Sequence, residues 1–490
     1  MAISYQPSEG LCYDPSEPKY WDPGALEQEL RRAFEICHGC RMCFKYCDSF
    51  PRLFDFLDDV EHASRPGEAG PRASAPPARS RHDGDVERIT AEETRHVLDA
   101  CFQCKLCEVT CPYTPRDRHE FQLDFPKLVH REKAQRTQEQ GLSLRQRVLA
   151  DPDATAKAAR ASLGLVNLLN KSSANRWLLE KVLGIHRDKL LPRFAGQRFT
   201  KWAKRAGLVH KEPGAQVVLF PTCYVEHNEP QIGRDTVEVL AKNGIETACV
   251  EGLVCCGMPA WESGDFTKLK NNAQTNLDRL LPFVERGAKV VVINPTCSMM
   301  LRREYPELVA SEDRERARQV AAAVVDPCEL LDGLCKEGRF STDFKSSPGA
   351  EIAYHAPCHL RAQAIGLRGR DLLRRLPGVE RVHSVTECCG HDGTYALKVE
   401  GYENSIRVGQ RAFTAMQAPS DAKVWATECP LAALQFEQHA GRKPLHPMSV
   451  LAKAYRGEPF GGGASGSHPA QTGTADERNQ RRIQTVPLMA

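Results

Sequence analysis

Cys101, Cys104, Cys107 and Cys111 lie in the stretch CFQCKLCEVTCP, spaced C-x2-C-x2-C-x3-C and followed by proline. Few patterns constrain a chain more tightly. Three thiols at that interval wrap one point from a tight loop, and the fourth opens a helix that aims at a second point. The sequence supplies the second point. Cys37, Cys40, Cys43 and Cys47 repeat the spacing, each 64 residues before its counterpart. A single C-x2-C would be weak evidence, but two copies of the full run are a strong sign of paired iron–sulfur sites.

By the crossover such runs use, Cys37, Cys40, Cys43 and Cys111 would hold one 4Fe–4S cluster. Cys101, Cys104, Cys107 and Cys47 would hold the other. Asp48 stands after Cys47 where proline is usual, which alters the chain's direction there but not the number of ligands. Zinc also takes four cysteines, yet seldom from three C-x2 intervals crowded into one loop. His38, inside the first loop, reads as a solvent-facing side chain.

The 490 residues have room for roughly three domains. The N-terminus, MAISYQPSEG, has neither a basic nor an apolar signal segment, which predicts a cytoplasmic protein whose 20 cysteines are metal or redox thiols rather than disulfides. Apolar runs such as 290–293 fall far short of the ~20 residues that span a bilayer. A net charge of +3 conceals an asymmetry, because residues 131–210 carry 17 Lys/Arg against 6 Asp/Glu. That local excess points to an anionic partner or surface, with no nucleic acid expected.

In chain order, residues 1–25 read as an extended arm. Helical pattern over 25–36 leads into the first cysteine run, and Phe50, Leu53, Phe54 and Leu57 continue a helix after it. Residues 61–85, rich in Pro, Ala, Gly and Arg, read as a disordered insert. Thr90 and Glu93 form a capping-box signature before the second run. Residues 26–130 are thus one helical, ferredoxin-like domain. Residues 131–212 are a basic helical linker in which Trp177, Leu178, Val182, Ile185, Leu190 and Leu191 suggest one apolar face, ringed by Arg176, Lys181, Arg187 and Lys189. That face suits either a membrane surface or ordinary packing.

From residue 213 short apolar strands alternate with helices, and the alternation occurs twice, at 213–345 and 346–457. The cysteines mark the repeat. Cys223 matches Cys358, the pair Cys255–Cys256 before Gly257 matches Cys388–Cys389 before Gly390, and Cys297 matches Cys429, at offsets of 135, 133 and 132 residues. Each set lies in loops after strands, where sites form on parallel sheets. Four thiols there would hold a further iron–sulfur cluster or a zinc. Cys12, Cys249, Cys328 and Cys335 fit neither repeat and read as free or buried thiols. Residues 458–490 read as a disordered tail. The fold class is α+β and multidomain: a helical two-cluster domain, then two repeated α/β modules.

The stretches PTCYVEHNEPQIGRDTVEVL from Pro221, CCGMPAWESG from Cys255, PTCSMMLRREYPEL from Pro295, YHAPCHL from Tyr354, CCGHDGTYALKVEGY from Cys388 and HPMSVLAKA from His446 carry a resemblance. The chain resembles the cysteine-rich CCG-domain iron–sulfur proteins related to heterodisulfide reductase, above all the C-subunit type of anaerobic glycerol-3-phosphate dehydrogenases. The resemblance implies an electron-transfer subunit working between a flavin-bearing dehydrogenase and quinone or another carrier, with attachment to the inner face of the membrane through the basic segment from Trp177. Heterodisulfide reductase relatives use a fifth cysteine per module. Here Met300 and Ala432 stand at those positions, which argues against heterodisulfide chemistry. The alternatives are an electron donor to a rubrerythrin-type peroxidase, or a thiol/disulfide reductase with His359 or His391 as base. No dinucleotide loop or P-loop is present, so a flavin would belong to the partner.

Overall fold

A computed structural model describes residues 5–58, 85–210 and 214–460. The expected insert at 61–85 and tail at 458–490 lie outside the described residues, save residue 85 and residues 458–460.

Short runs of apolar, β-branched residues form two small parallel sheets. In the first, β1 (Val217–Phe220) pairs with β2 (Thr247–Cys249) on one side and β3 (Lys289–Val292) on the other, and β3 pairs with β4 (Val324–Val325). All four residues of β1 are buried, as both faces are covered by helices. In the second sheet, β5 (Glu351–His355) lies between β6 (Arg381–Val385) and β7 (Val424–Thr427), again all parallel. The fourth strand is reduced here to one bridge between Ala426 and Leu445. Even so, the helix that follows is capped in the same way in both modules, by Asp326 in one and by His446 in the other.

The modules pack through helices in a reciprocal manner. Helix Pro230–Lys242 of one lies on the last helix of the other, Pro447–Arg456, while Pro327–Lys336 lies on Arg368–Leu373. This exchange of equivalent faces is the pattern of an isologous two-fold interface, built within one chain. One core runs through both sheets, joining Val217, Leu219 and Val291 to Ile352, Tyr354 and Val424.

The N-terminal cysteine runs lie among helices Pro23–Cys40, Ser49–Leu57, Ala91–Asp99 and Phe125–Gln140, whose apolar faces meet at Phe34, Phe50, Leu53, Leu98 and Leu128. Thr90 closes the expected capping box with Glu93. The arm packs back on the molecule. Arg131, fully buried, donates to the carbonyl oxygens of Tyr20 at 2.8 Å, Gly10 at 2.9 Å and Cys12 at 3.4 Å.

The linker departs from the single apolar face expected for it. Helix Ser173–Leu183 stops at Gly184, whose φ of 57° ends it in the left-handed region, so Ile185, Leu190 and Leu191 lie beyond the helix. Trp177, Leu178 and Val182 are exposed, but Ile185 is buried. Two of the cations expected around the face are also buried: Arg176 donates to the carbonyls of His186 and Arg187, and Lys189 donates to the Gln435 amide oxygen. Among the described residues, no helix is long and apolar enough to cross a membrane.

Arg131→Met would strand several buried carbonyls at about 1–3 kcal/mol each. The variant should melt earlier and be cleaved in the 5–22 arm under limited proteolysis that spares the parent. An unchanged melt and digest would mean that the arm is held by other contacts.

Candidate metal centres

The two N-terminal runs make matched loops. Arg41 in the first and Lys105 in the second sit at equivalent positions and take left-handed φ values of 55° and 58°, which turns each loop tightly enough to bring its thiols together. Cys37 interacts electrostatically with Cys43, Cys111 and Cys40, and burial pushes its thiol well above the usual range. Cys107 interacts with Cys104, Cys101, Cys43 and Cys47, Cys43 also interacts with Cys47, and Cys101 and Cys104 each interact with Cys47. The structure therefore gathers all eight cysteines, with Cys111 among those of the first run, Cys47 among those of the second, and further interactions running between the two groups. Burial pushes Cys43 and Cys101 up to about 12. Between the sets, the Cys43 thiol donates to the Cys107 carbonyl at 3.8 Å, and Tyr46 and Thr110 hydroxyls meet at 2.6 Å. Both contacts join a residue to its own equivalent 64 positions away, so this pair of loops also has a local two-fold axis. His38 is not a solvent-facing side chain. Asp58 holds its Nε2 at 2.8 Å, and the Arg41 guanidinium meets the same carboxylate.

In the first module the three cysteine positions follow β1, β2 and β3 at the carboxyl edge of the sheet. The thiols of Cys223 and Cys256 both neighbour that of Cys255 and hold it well below its usual range. Cys256 also neighbours Cys297, so the four thiols form one group. The backbone is clamped from three directions. Asn272 donates to the Cys255 carbonyl at 3.1 Å, Tyr305 to the Cys256 carbonyl at 2.9 Å, and the Cys255 amide to Asp153 at 2.7 Å. Met300 is fully buried beside this set, where the resemblance would place a fifth cysteine.

The second module repeats the arrangement after β5, β6 and β7. Cys358, Cys388 and Cys389 interact, and Cys389 reaches Cys429. Gly390 is required by its surroundings: at φ 76°, a Cβ there would lie 1.9 Å from the Ser405 carbonyl oxygen. Its amide donates to the Cys388 sulfur at 3.3 Å. Asp392 enters this site as well, accepting from the thiols of Cys358 at 3.4 Å and Cys388 at 3.6 Å. Burial pushes its carboxyl up to about 7. The two histidines named as candidate bases differ in their surroundings. His359 spends one ring nitrogen on Thr296 at 2.9 Å and the other on the Gln103 carbonyl at 3.1 Å. Burial holds His391 well below its usual range.

The four sets lie in succession. The first two meet through Cys43 and Cys107, Cys104 lies near enough to Cys358 and Cys388 of the second module for their charges to interact, and Cys297 likewise to Cys429 across the modules. Loop Cys101–Cys107 is wedged between the modules. Lys105 forms a buried ion pair with Glu304, Arg303 pairs with Glu108, and Phe102 packs on Tyr395 with ring centres 4.3 Å apart.

All 20 cysteines are described and all are free, with Cys12, Cys249 and Cys328 buried and Cys335 half-buried, away from the four sets. Each set offers soft thiol donors, half-buried in the first and wholly or partly buried in the other three, with no disulfide competing for them, and that chemistry suits iron–sulfur ligation. Sequence reasoning missed Asp392, Asp153 and Lys105. Only Asp392 left a trace, as the acid two residues past the Cys-Cys-Gly turn.

The cysteine-rich domain family, named CCG, matches twice, over residues 217–302 and 352–437. A 4Fe-4S dicluster domain matches residues 36–114. The C subunit of anaerobic glycerol-3-phosphate dehydrogenase from Escherichia coli K12 is 28% identical over 423 residues, covering 86% of this chain and 98% of that one. Lactate utilization protein A from Bacillus velezensis is 30% identical over 187 residues, 38% of this chain and 76% of its own. Lactate utilization protein A 2 from Bacillus cereus is 27% identical over 197 residues, 39% of this chain and 78% of its own. With two cysteine-rich repeats behind a dicluster segment, the chain belongs to the CCG-domain family of iron–sulfur proteins.

Proposed function

We propose that this chain is the electron-transfer subunit through which a flavin-bearing dehydrogenase, of the glycerol-3-phosphate or 2-hydroxy-acid type, passes electrons to quinone or another carrier. One observation supports the reading: four cysteine sets stand in succession, the first two in contact and each of the others near enough to the next for their charges to interact. Residues 26–130 would be the ferredoxin-like unit, with Cys37, Cys40, Cys43 and Cys111 holding one 4Fe–4S cluster and Cys101, Cys104, Cys107 and Cys47 the other. Cys223, Cys255, Cys256 and Cys297 would hold the centre of module 213–345, and Cys358, Cys388, Cys389 and Cys429 that of module 346–457. Such clusters supply one-electron transfer. The chain's own part is to bury the sulfurs, hold them with amide donors such as those of Gln103 and Gly390, and fix the spacing between centres.

The name of the glycerol-3-phosphate dehydrogenase relative motivates the flavoprotein partner. The linker supports contact with a membrane, since Leu163 (95% exposed), Leu165, Leu168, Trp177, Leu178 and Val182 all face solvent near the exposed Lys171 and Lys181. Apolar side chains flanked by cations suit the interface of an anionic bilayer.

Cys104→Ser should abolish electron flow from reduced partner to acceptor and remove about four of the roughly eight irons of the first two sets. Unchanged iron would contradict the ligand assignment. Anaerobic co-purification should capture a flavoprotein; capture of a rubrerythrin-type peroxidase instead, or turnover of disulfides by the isolated chain, would overturn the assigned direction of transfer. Binding to anionic phospholipid vesicles should weaken with salt and fall about tenfold or more in Trp177→Glu/Leu178→Glu, given roughly 1.5 kcal/mol or more for each buried apolar side chain. Sedimentation with vesicles that ignores both changes would exclude the surface contact.

A further inference from the structure

The two modules are not chemically equivalent. Two residues past Gly257 the first module has Pro259; two residues past Gly390 the second has Asp392. Asp392 is 7% exposed. It sits at φ 37°, a left-handed conformation that costs a non-glycine residue energy and that persists where surroundings impose it. The surroundings here are specific. Glu262, from the first module, accepts from the Thr394 amide and hydroxyl, both at 2.8 Å, and its carboxylate fills the space a Cβ on Gly393 would need. The loop is thereby locked with the Asp392 carboxylate turned onto the thiols.

Its two oxygens accept from Cys358 at 3.4 Å and Cys388 at 3.6 Å, and among the described residues no cation faces it. Donor atoms of Cys358, His359 and Asp392 all lie within 4.8 Å of one another. His359 is spoken for by Thr296 and Gln103, which leaves the sulfur and the carboxylate. The two carboxylate oxygens thus reach one sulfur each, on two cysteines that arrive from different strands, and the locked loop leaves them no other partner among the described residues. An ion held by Cys358 and Cys388 would find Asp392 as an oxygen donor already in place.

We propose that Asp392 is an oxygen ligand to iron in the second module, so that this centre has four thiolates and one carboxylate while the first module has thiolates alone. The inference rests on the reading that the modules hold iron. A carboxylate is a harder donor than a thiolate, so the iron it binds is electronically distinct from its neighbours.

Mössbauer spectra and iron content of the full chain, loaded with iron-57 and kept anaerobic, test this. The parent should show a minority iron site with a larger isomer shift than all-thiolate sites. Asp392→Asn should lose that site and about one iron equivalent; Asp392→Cys should keep the iron and move the site into the thiolate range. If both variants match the parent in count and spectrum while Cys388→Ser loses iron, Asp392 is not a ligand. If Cys388→Ser also keeps all its iron, the second module holds none, and the reading beneath the proposal fails with it.

Discussion

Thiols gathered in fours and partly or wholly withdrawn from water ionise together only at a cost unless positive charge sits among them. Burial, reinforced by the neighbouring thiols, pushes Cys37, Cys104, Cys107, Cys358 and Cys388 well above their usual range. Bound metal inverts that preference, since a coordinating thiol is deprotonated outright. The scaffold serves this constraint throughout. Left-handed residues turn the N-terminal loops onto one point, and parallel strands deliver the later cysteines to one sheet edge. Asn272 and Tyr305 fix the backbone that carries the paired cysteines.

Loop Cys101–Cys107 joins the N-terminal unit to the rest. Its Lys105 ends in a buried pair with Glu304, and the ammonium also lies 5.4 Å from the Trp261 ring centre. A buried pair is weak evidence for net stability, because two ions must be desolvated. Losing one partner is another matter, as it leaves an uncompensated charge worth about 3–5 kcal/mol. The pair therefore fixes where the loop sits more than it strengthens the fold. That placement puts Cys104 beside Cys358 and Cys388, and it makes the four sets one succession rather than two separate pairs.

Much of this was legible in the sequence, for physical reasons. Strands such as Val217–Phe220 and Val424–Thr427 are continuous apolar runs because both faces are covered, and the doubled cysteine spacings reported both local two-fold arrangements. The two-residue strand Val324–Val325 is too short to leave a pattern, and its counterpart survives only as the bridge at Leu445. The linker misled because periodicity continues past Gly184 while the helix does not. Nothing local marks Lys105, Arg131 or Lys189 as buried, since their partners lie 199, 111 and 246 residues away in sequence. Asp392 was visible as a residue, but its meaning depends on Cys358, which arrives from another strand.

The most direct test of the account is a redox titration of the anaerobically purified full chain, followed by paramagnetic resonance and matched to its metal content. The account predicts a brown protein with about eight irons from the two N-terminal sets alone, more from the modules, and paramagnetic centres that appear on reduction. A colourless, zinc-loaded protein that stays silent when reduced would contradict it.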